Sequence, residues 1–263
     1  MVIPQKIQNQ KNNKLYWIYN RTQYTIKKMA NIAINNLINA YNLLIGGIDA
    51  TANDDTSDRA YGGIIRAGKG LLVESISKEM IRIAWAEIGG EANRISLQKE
   101  KVNIPLNQSY LNKIKNTAIV EWIKNNIQDF IFQAQVDIHV YIDGELKMGV
   151  ECKAYAENAM MKRILVDFTL LKQIYPNLTC VLLQLESQLG GDYSKLSNDI
   201  IFGSRSTHTL ISHFDVDLNI ITLLEGERKV DKAIHKKEHF KELDEINLLK
   251  ALEILKLLLT DYL

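Results

Sequence analysis

Apolar residues recur at helical spacing between residues 15 and 46. Ile26, Met29, Ile32, Ala33, Leu37, Tyr41 and Leu44 fall on one face, which predicts a helix. From Gly46 to Gly70 the pattern gives way to Gly, Asp, Thr and Ser, and a long surface loop is predicted there. Helical spacing resumes from about Leu71 to Ile88 and stops at Gly89-Gly90. Residues 91–106 read as extended or irregular, with Pro105 as a breaker, and Ser109 to Asn126 as a further helix.

Between Phe130 and Tyr155 the period changes to two. One arm runs from Gln135 to Ile142 and the other from Leu146 to Lys153, around Asp143-Gly144. Asp-Gly between alternating arms is a strong hairpin signal. A helix from Asn158 to Ile174, stopped before Pro176, and a buried strand from Leu178 to Leu185 follow. After a loop over 187–206 comes a strand near Asn219 to Leu224. The charged stretch from Glu225 to Lys241 leads into an apolar C-terminal helix, Leu243 to Leu263. Hairpin, helix and strand in this order predict an α/β fold, a mixed central sheet flanked by helices. The chain reads as one domain, 1–263. Its core spans roughly 68–225, with a helical N-terminal region at 1–67 and a C-terminal helix at 240–263.

Alternation sorts the hairpin by face. Val136, Ile138, Val140 and Ile142 share an apolar face with Met148, Val150 and Cys152. Asp137, His139 and Tyr141 lie opposite, as do Gly149, Glu151 and Lys153. Asp137 shares a face with Glu151 and Lys153 only if paired residue numbers sum to an even value. A three-residue loop with Gly144 in a left-handed bulge satisfies this, and a plain two-residue turn does not, so the bulged form is predicted. Two carboxylates aimed at one place repel unless a cation sits between them, and oxygen ligands select Mg²⁺ or Mn²⁺. Such an ion can hold a phosphate oxygen and acidify a water, while a neighbouring lysine stabilises charge growing on phosphorus. The pattern therefore points to phosphodiester hydrolysis.

Val136-Asp137, thirteen residues, then Glu151-Cys152-Lys153 resembles the PD-(D/E)xK nuclease signature, with Val136 where that family often has Pro. With the hairpin, helix and strand around it, the region resembles a type II restriction endonuclease, whose core it matches from Gly68 to Leu185. The resemblance implies a metal held by Asp137, Glu151 and the backbone carbonyl of Cys152, with Lys153 assisting the attacking water. Glu74 is the candidate for the helix-borne glutamate that many such enzymes place near the metal. It further implies a sequence-specific endonuclease on double-stranded DNA, a 5′-phosphate product and a homodimer. Rival readings are a structure-specific repair or recombination nuclease of the same fold, and a non-catalytic DNA-binding protein. In the second, the same carboxylates would be a solvated sheet face.

Net charge is only +1, so any DNA surface must come from local clustering of basic residues. Candidates are Lys162 and Arg163 at the start of the helix after the site, Arg205 in a loop of small donors, and Lys69 in a glycine-rich loop. Gly63 to Gly70 nearly spells a nucleotide-binding loop, but Gly70 replaces the hydroxyl residue. Cys152 and Cys180 are isolated, which argues against a zinc site and for a reducing cytoplasm. No apolar run reaches the roughly 18 residues of a membrane span.

Overall fold

The computed structural model describes residues 30–44, 58–191, 204–229, 239 and 241–263, the backbone alone over 58–67. Residues 30–44 are helical (α1). Helix α2 (Asp58–Glu87) leads to strands β1 (Ile95–Gln98) and β2 (Val102–Pro105). A 3₁₀ turn (Gln108–Lys113), helix α3 (Thr117–Asn125) and strands β3 (Ile131–Ala134), β4 (Ile138–Ile142) and β5 (Glu145–Glu157) follow. Helix α4 (Asn158–Ile174), β6 (Thr179–Gln188), α5 (Arg205–Ile211), β7 (Leu218–Thr222) and α6 (Glu245–Thr260) complete the order.

Five strands form one sheet in the order β1-β4-β5-β6-β7. The β1–β4 and β4–β5 pairs are antiparallel, while β5–β6 and β6–β7 are parallel. The expected α/β architecture with a mixed sheet is therefore present. α4 is the crossover between the parallel strands β5 and β6, a connection that a tight turn could not make. β2 and β3 pair separately as a small antiparallel ribbon.

Both sheet faces are covered. On one side Val73, Ile76, Met80 and Ala84 of α2 and Leu248, Leu252 and Leu255 of α6 bury Ile138, Val140, Val150 and Leu183. On the other, Met161, Leu165 and Phe168 of α4 pack on Cys180 and Leu182. Gly149 belongs beneath α4, because a Cβ there would meet the Phe168 ring at 3.0 Å and Val136 at 3.3 Å.

Several expectations are corrected. Residues 58–70 belong to α2 rather than to a loop, so the sequence from Gly63 to Gly70 cannot fold as a phosphate-binding loop; 45–57 lie outside the described residues. Glycine costs about 1 kcal/mol against alanine in a helix, and here the packing of α2 on the sheet and α6 overrides that local preference. The helix expected over 15–46 is seen from 30 to 44, and its remainder lies outside the described residues. Ser109 to Asn126 is interrupted, since the Asn107 and Asn116 side chains each accept a backbone N–H and start new turns. The loop after β6 contains α5, whose N-terminus the Ser204 hydroxyl caps. Within the charged stretch from Glu225 to Lys241, residues 230–238 and 240 fall outside the described residues. Among the described residues, no helix is long and apolar enough to cross a membrane.

Candidate active site

Asp143 (φ 53°) and Gly144 (φ 80°) form a two-residue turn, with Ile142 opposite Glu145 and Tyr141 opposite Leu146. Left-handed backbone at both positions is what a twisted hairpin demands. Beyond Tyr141 the register slips: Val140 faces Met148, leaving Lys147 as the extra residue of a bulge. The predicted bulge at Gly144 is therefore corrected to one at Lys147. The outcome for the site is the same, since Ile138 faces Val150 and the next positions are Asp137 and Glu151.

β4 ends there, while β5 continues beside β6 as far as Glu157. Asp137 sits in a bend ahead of β4, and this moves Val136 away from Ile138 into the cluster under α4. Val136 was expected on the opposite face, and strand alternation failed because the strand begins one residue after Asp137.

The parting strands open a cleft of about 530 Å³, lined by Glu74, Lys99, Asp137, Lys153, Tyr155 and Met160 among others. Asp137 Oδ2 accepts the Cys152 backbone N–H at 2.9 Å, which fixes the carboxylate against β5. The Lys153 ammonium is ion-paired with Glu151 and lies 3.8 Å from Asp137 Oδ2. The three side chains thus converge as the sequence predicts.

Glu74, from α2, joins the same network through Lys99, a residue the sequence reading missed. Lys99 Nζ donates to Asp137 Oδ1 at 2.9 Å and to Glu74 Oε2 at 3.1 Å. Lys78 donates to the other Glu74 oxygen at 2.8 Å. Lys99 follows β1, and the pairing of Gln98 with His139 carries it beside Asp137. Reading 91–106 as extended or irregular, with no strand pairing assigned, gives no means of finding it.

The electrostatics follow from burial and neighbours. Burial raises the Glu151 pKa, Lys153 opposes this, and the Asp137 charge adds to the rise. For Glu74, burial also pushes upward, but hydrogen bonds from Lys78 and Lys99 outweigh it and the pKa falls below the usual value. Burial disfavours the Lys99 charge, yet Asp137 and Glu74 hold its pKa above the ordinary range. Burial pushes the Cys152 thiol up to about 12, and its Sγ points to Ser77 Oγ at 3.4 Å, away from the carboxylates.

The donor chemistry suits a hard divalent ion. Asp137 and Glu151 already share one cationic partner, the Lys153 ammonium, and the oxygens available are carboxylate and backbone carbonyl. Among the described residues, no three His, Cys, Asp or Glu side chains gather closely enough to hold an ion by themselves. A site here would therefore rest on two carboxylates completed by backbone and solvent.

Other candidates are placed as follows. His139 is fully buried, with its Nε2 3.5 Å from the Val136 N–H, and burial lowers its pKa. Lys69 lies within α2 and is 1% exposed, so its expected place in an open loop is corrected. Lys162 and Arg163 are exposed on the first turns of α4, and Arg163 makes a loose pair with Asp167 at 3.7 Å. Arg205 is exposed at the start of α5, which Asn158 ties to α4 through Ser206 and Thr207.

No family model matches the chain. A solved structure described as the native BbvCI A2B2 tetramer at low resolution aligns with 97% of this chain and 95% of that one. Its 13% identity and TM-score of 0.33 are too low to bear on function. The type II restriction enzyme DdeI of Desulfomicrobium norvegicum is 49% identical over 197 residues, covering 74% of this chain and 82% of the relative. That likeness, over most of both chains, establishes that this protein belongs to the type II restriction enzymes.

Proposed function

We propose that this site-specific endonuclease cuts double-stranded DNA at the mouth of the β4–β5 hairpin, with Asp137, Glu151 and Lys153 as its working side chains. The observation that carries the reading is the contact of one ammonium, that of Lys153, with both carboxylates at the edge of an open cleft. Asp137, Glu151 and the Cys152 carbonyl would hold Mg²⁺, with Mn²⁺ as a substitute. When bound, the ion supplies positive charge at the scissile phosphate and lowers the pKa of a water.

The residues of this chain do the rest. Asp137 is held in place by the Cys152 N–H, so its carboxylate stands at the cleft without a search over rotamers. Lys153 orients the attacking water and stabilises negative charge as it builds on the phosphoryl oxygens. The P–O3′ bond breaks as the new P–O bond forms in line, leaving a 5′-phosphate. Glu74 keeps its place near Asp137 through Lys99. Exposed Lys162, Arg163 and Arg205, on the adjoining starts of α4 and α5, would grip backbone phosphates beside the cleft. A two-fold homodimer in the cytoplasm, acting on a palindromic site, completes the proposal.

Incubating phage DNA with and without Mg²⁺, wild type beside Lys153→Ala, tests this. The expected result is discrete bands only for wild type with metal. A smear without preferred sites favours the repair-type nuclease, and intact DNA throughout overturns the catalytic reading.

A further inference from the structure

Lys99 has a part that the nuclease signature does not assign. Its ammonium spans two carboxylates from different elements, Asp137 ahead of β4 and Glu74 on α2, and it lines the cleft beside Lys153. Around the cleft Glu74, Asp137 and Glu151 are matched by Lys78, Lys99 and Lys153. This network is balanced as it stands. A divalent ion arriving between Asp137 and Glu151 adds two positive charges, and like charges a few ångströms apart repel. Withdrawal of one ammonium relieves that repulsion. Lys78 pairs with Glu74 Oε1, the oxygen that Lys99 does not use. Lys153 is 29% exposed and pinned to the more buried Glu151, whereas Lys99 is 43% exposed at the end of a flexible stem. Of the two ammonium groups near Asp137, Lys99 is therefore the one with the freer path into solvent.

We propose that Lys99 is a positioning residue of the nuclease site. Its ammonium holds the Asp137 and Glu74 carboxylates together in the metal-free protein and is exchanged for the incoming ion. The proposal rests on the site reading above. Until metal enters, the exchange cation keeps the carboxylates from splaying apart, so the site is formed before the ion arrives. The cost is competition, since metal must displace Lys99 from Asp137 Oδ1.

The test is Mn²⁺ binding to the full chain without DNA, followed by the electron paramagnetic resonance of the free ion. Removing a partly exposed competing ammonium should tighten Mn²⁺ binding in Lys99→Met by roughly three- to tenfold, while Lys99→Arg stays near wild type. A purely structural lysine would give unchanged or weaker binding on removal, and that result overturns the proposal. Asp137→Asn separates the two levels. If it binds Mn²⁺ like wild type, the site reading itself falls. If it loses the ion while Lys99→Met matches wild type, only the role of Lys99 falls. Should Lys99→Met fold poorly by circular dichroism, Lys99→Gln replaces it. The rise in melting temperature on adding Mn²⁺ must then exceed that of wild type, and an equal or smaller rise counts against the exchange.

Discussion

On the side of the sheet covered by α2 and α6, the strands present Ile138, Val140, Val150, Cys152, Val181 and Leu183, and every one is buried. On the side covered by α4, the same strands present Gly149, Glu151, Lys153 and Gln184 among the apolar residues. α4 seals that side over Cys180 and Leu182 but leaves the stretch around Lys153 open to the cleft. Adjacent residues of β5 therefore serve different ends. Even-numbered positions hold the fold, and odd-numbered ones gather charge where β4 lets go. The difference teaches that the chemistry stands on a rigid strand whose other face is already fully committed to packing.

Substitutions on the two faces should part activity from stability. Largest is Lys153→Met, which should lower cleavage by about 10³-fold, in line with the loss of one transition-state contact. Its melting temperature should fall modestly, because Glu151 and Asp137 lose the ammonium between them; a collapse of the fold would instead make Lys153 chiefly structural. Leu183→Ala, on the packed face, should cost about 3 kcal/mol in denaturant unfolding and leave turnover per folded molecule nearly unchanged.

Gly149→Ala comes next, since the new methyl meets the Phe168 ring at 3.0 Å and that buried ring must give by a few tenths of an ångström. A loss of about 2 kcal/mol is expected from such overpacking. Finding Gly149→Ala neutral in chemical denaturation would show that α4 is seated more loosely than its contacts imply.

Glu151→Gln sharpens the contrast through pH. The folded pKa of Glu151 lies above its unfolded value, chiefly from burial and then from Asp137. The folded chain thus holds that proton more tightly, and stability drops as pH rises from the usual glutamate range through the raised value. In metal-free protein above that window, Glu151→Gln should melt higher than wild type while cutting no DNA. Identical melting curves across pH would argue against a strained carboxylate. Smallest is Asp143→Asn. Arg94 depresses the Asp143 pKa through hydrogen bonds at this exposed turn. The pair supports the fold above the usual aspartate range and fades as pH falls through the depressed value. The variant should thus melt slightly lower at neutral pH and equal wild type in acid.

What the sequence made legible was local. Asp143-Gly144 marked the turn, and α4 was bounded at Asn158 and Ile174 as found. Two-residue periodicity was enough to bring Asp137, Glu151 and Lys153 together, although the extra residue proved to be Lys147 rather than part of the turn. What stayed hidden depends on contacts far apart along the chain. Lys99 meets Asp137 only because β1 pairs with β4, and four short residues with weak alternation do not announce that pairing. Glycines at 68 and 70 argued for a loop, yet the α2 interface with the sheet and α6 decided otherwise. Val136 misled because a bend, invisible to alternation, separates it from Ile138.

The slip at Lys147 also governs which length changes the hairpin can survive. Deleting that one residue closes the ladder without changing a pair: Tyr141 stays opposite Leu146, Val140 opposite Met148 and Ile138 opposite Val150, so Asp137 and Glu151 keep their places. A residue added or removed between Met148 and Glu151, inside the paired ladder, is what would turn Glu151 and Lys153 to the other face. Length drift is thus expected at the hairpin tip and its bulge, while the spacing from Met148 to Lys153 should stay fixed in natural variants that remain active.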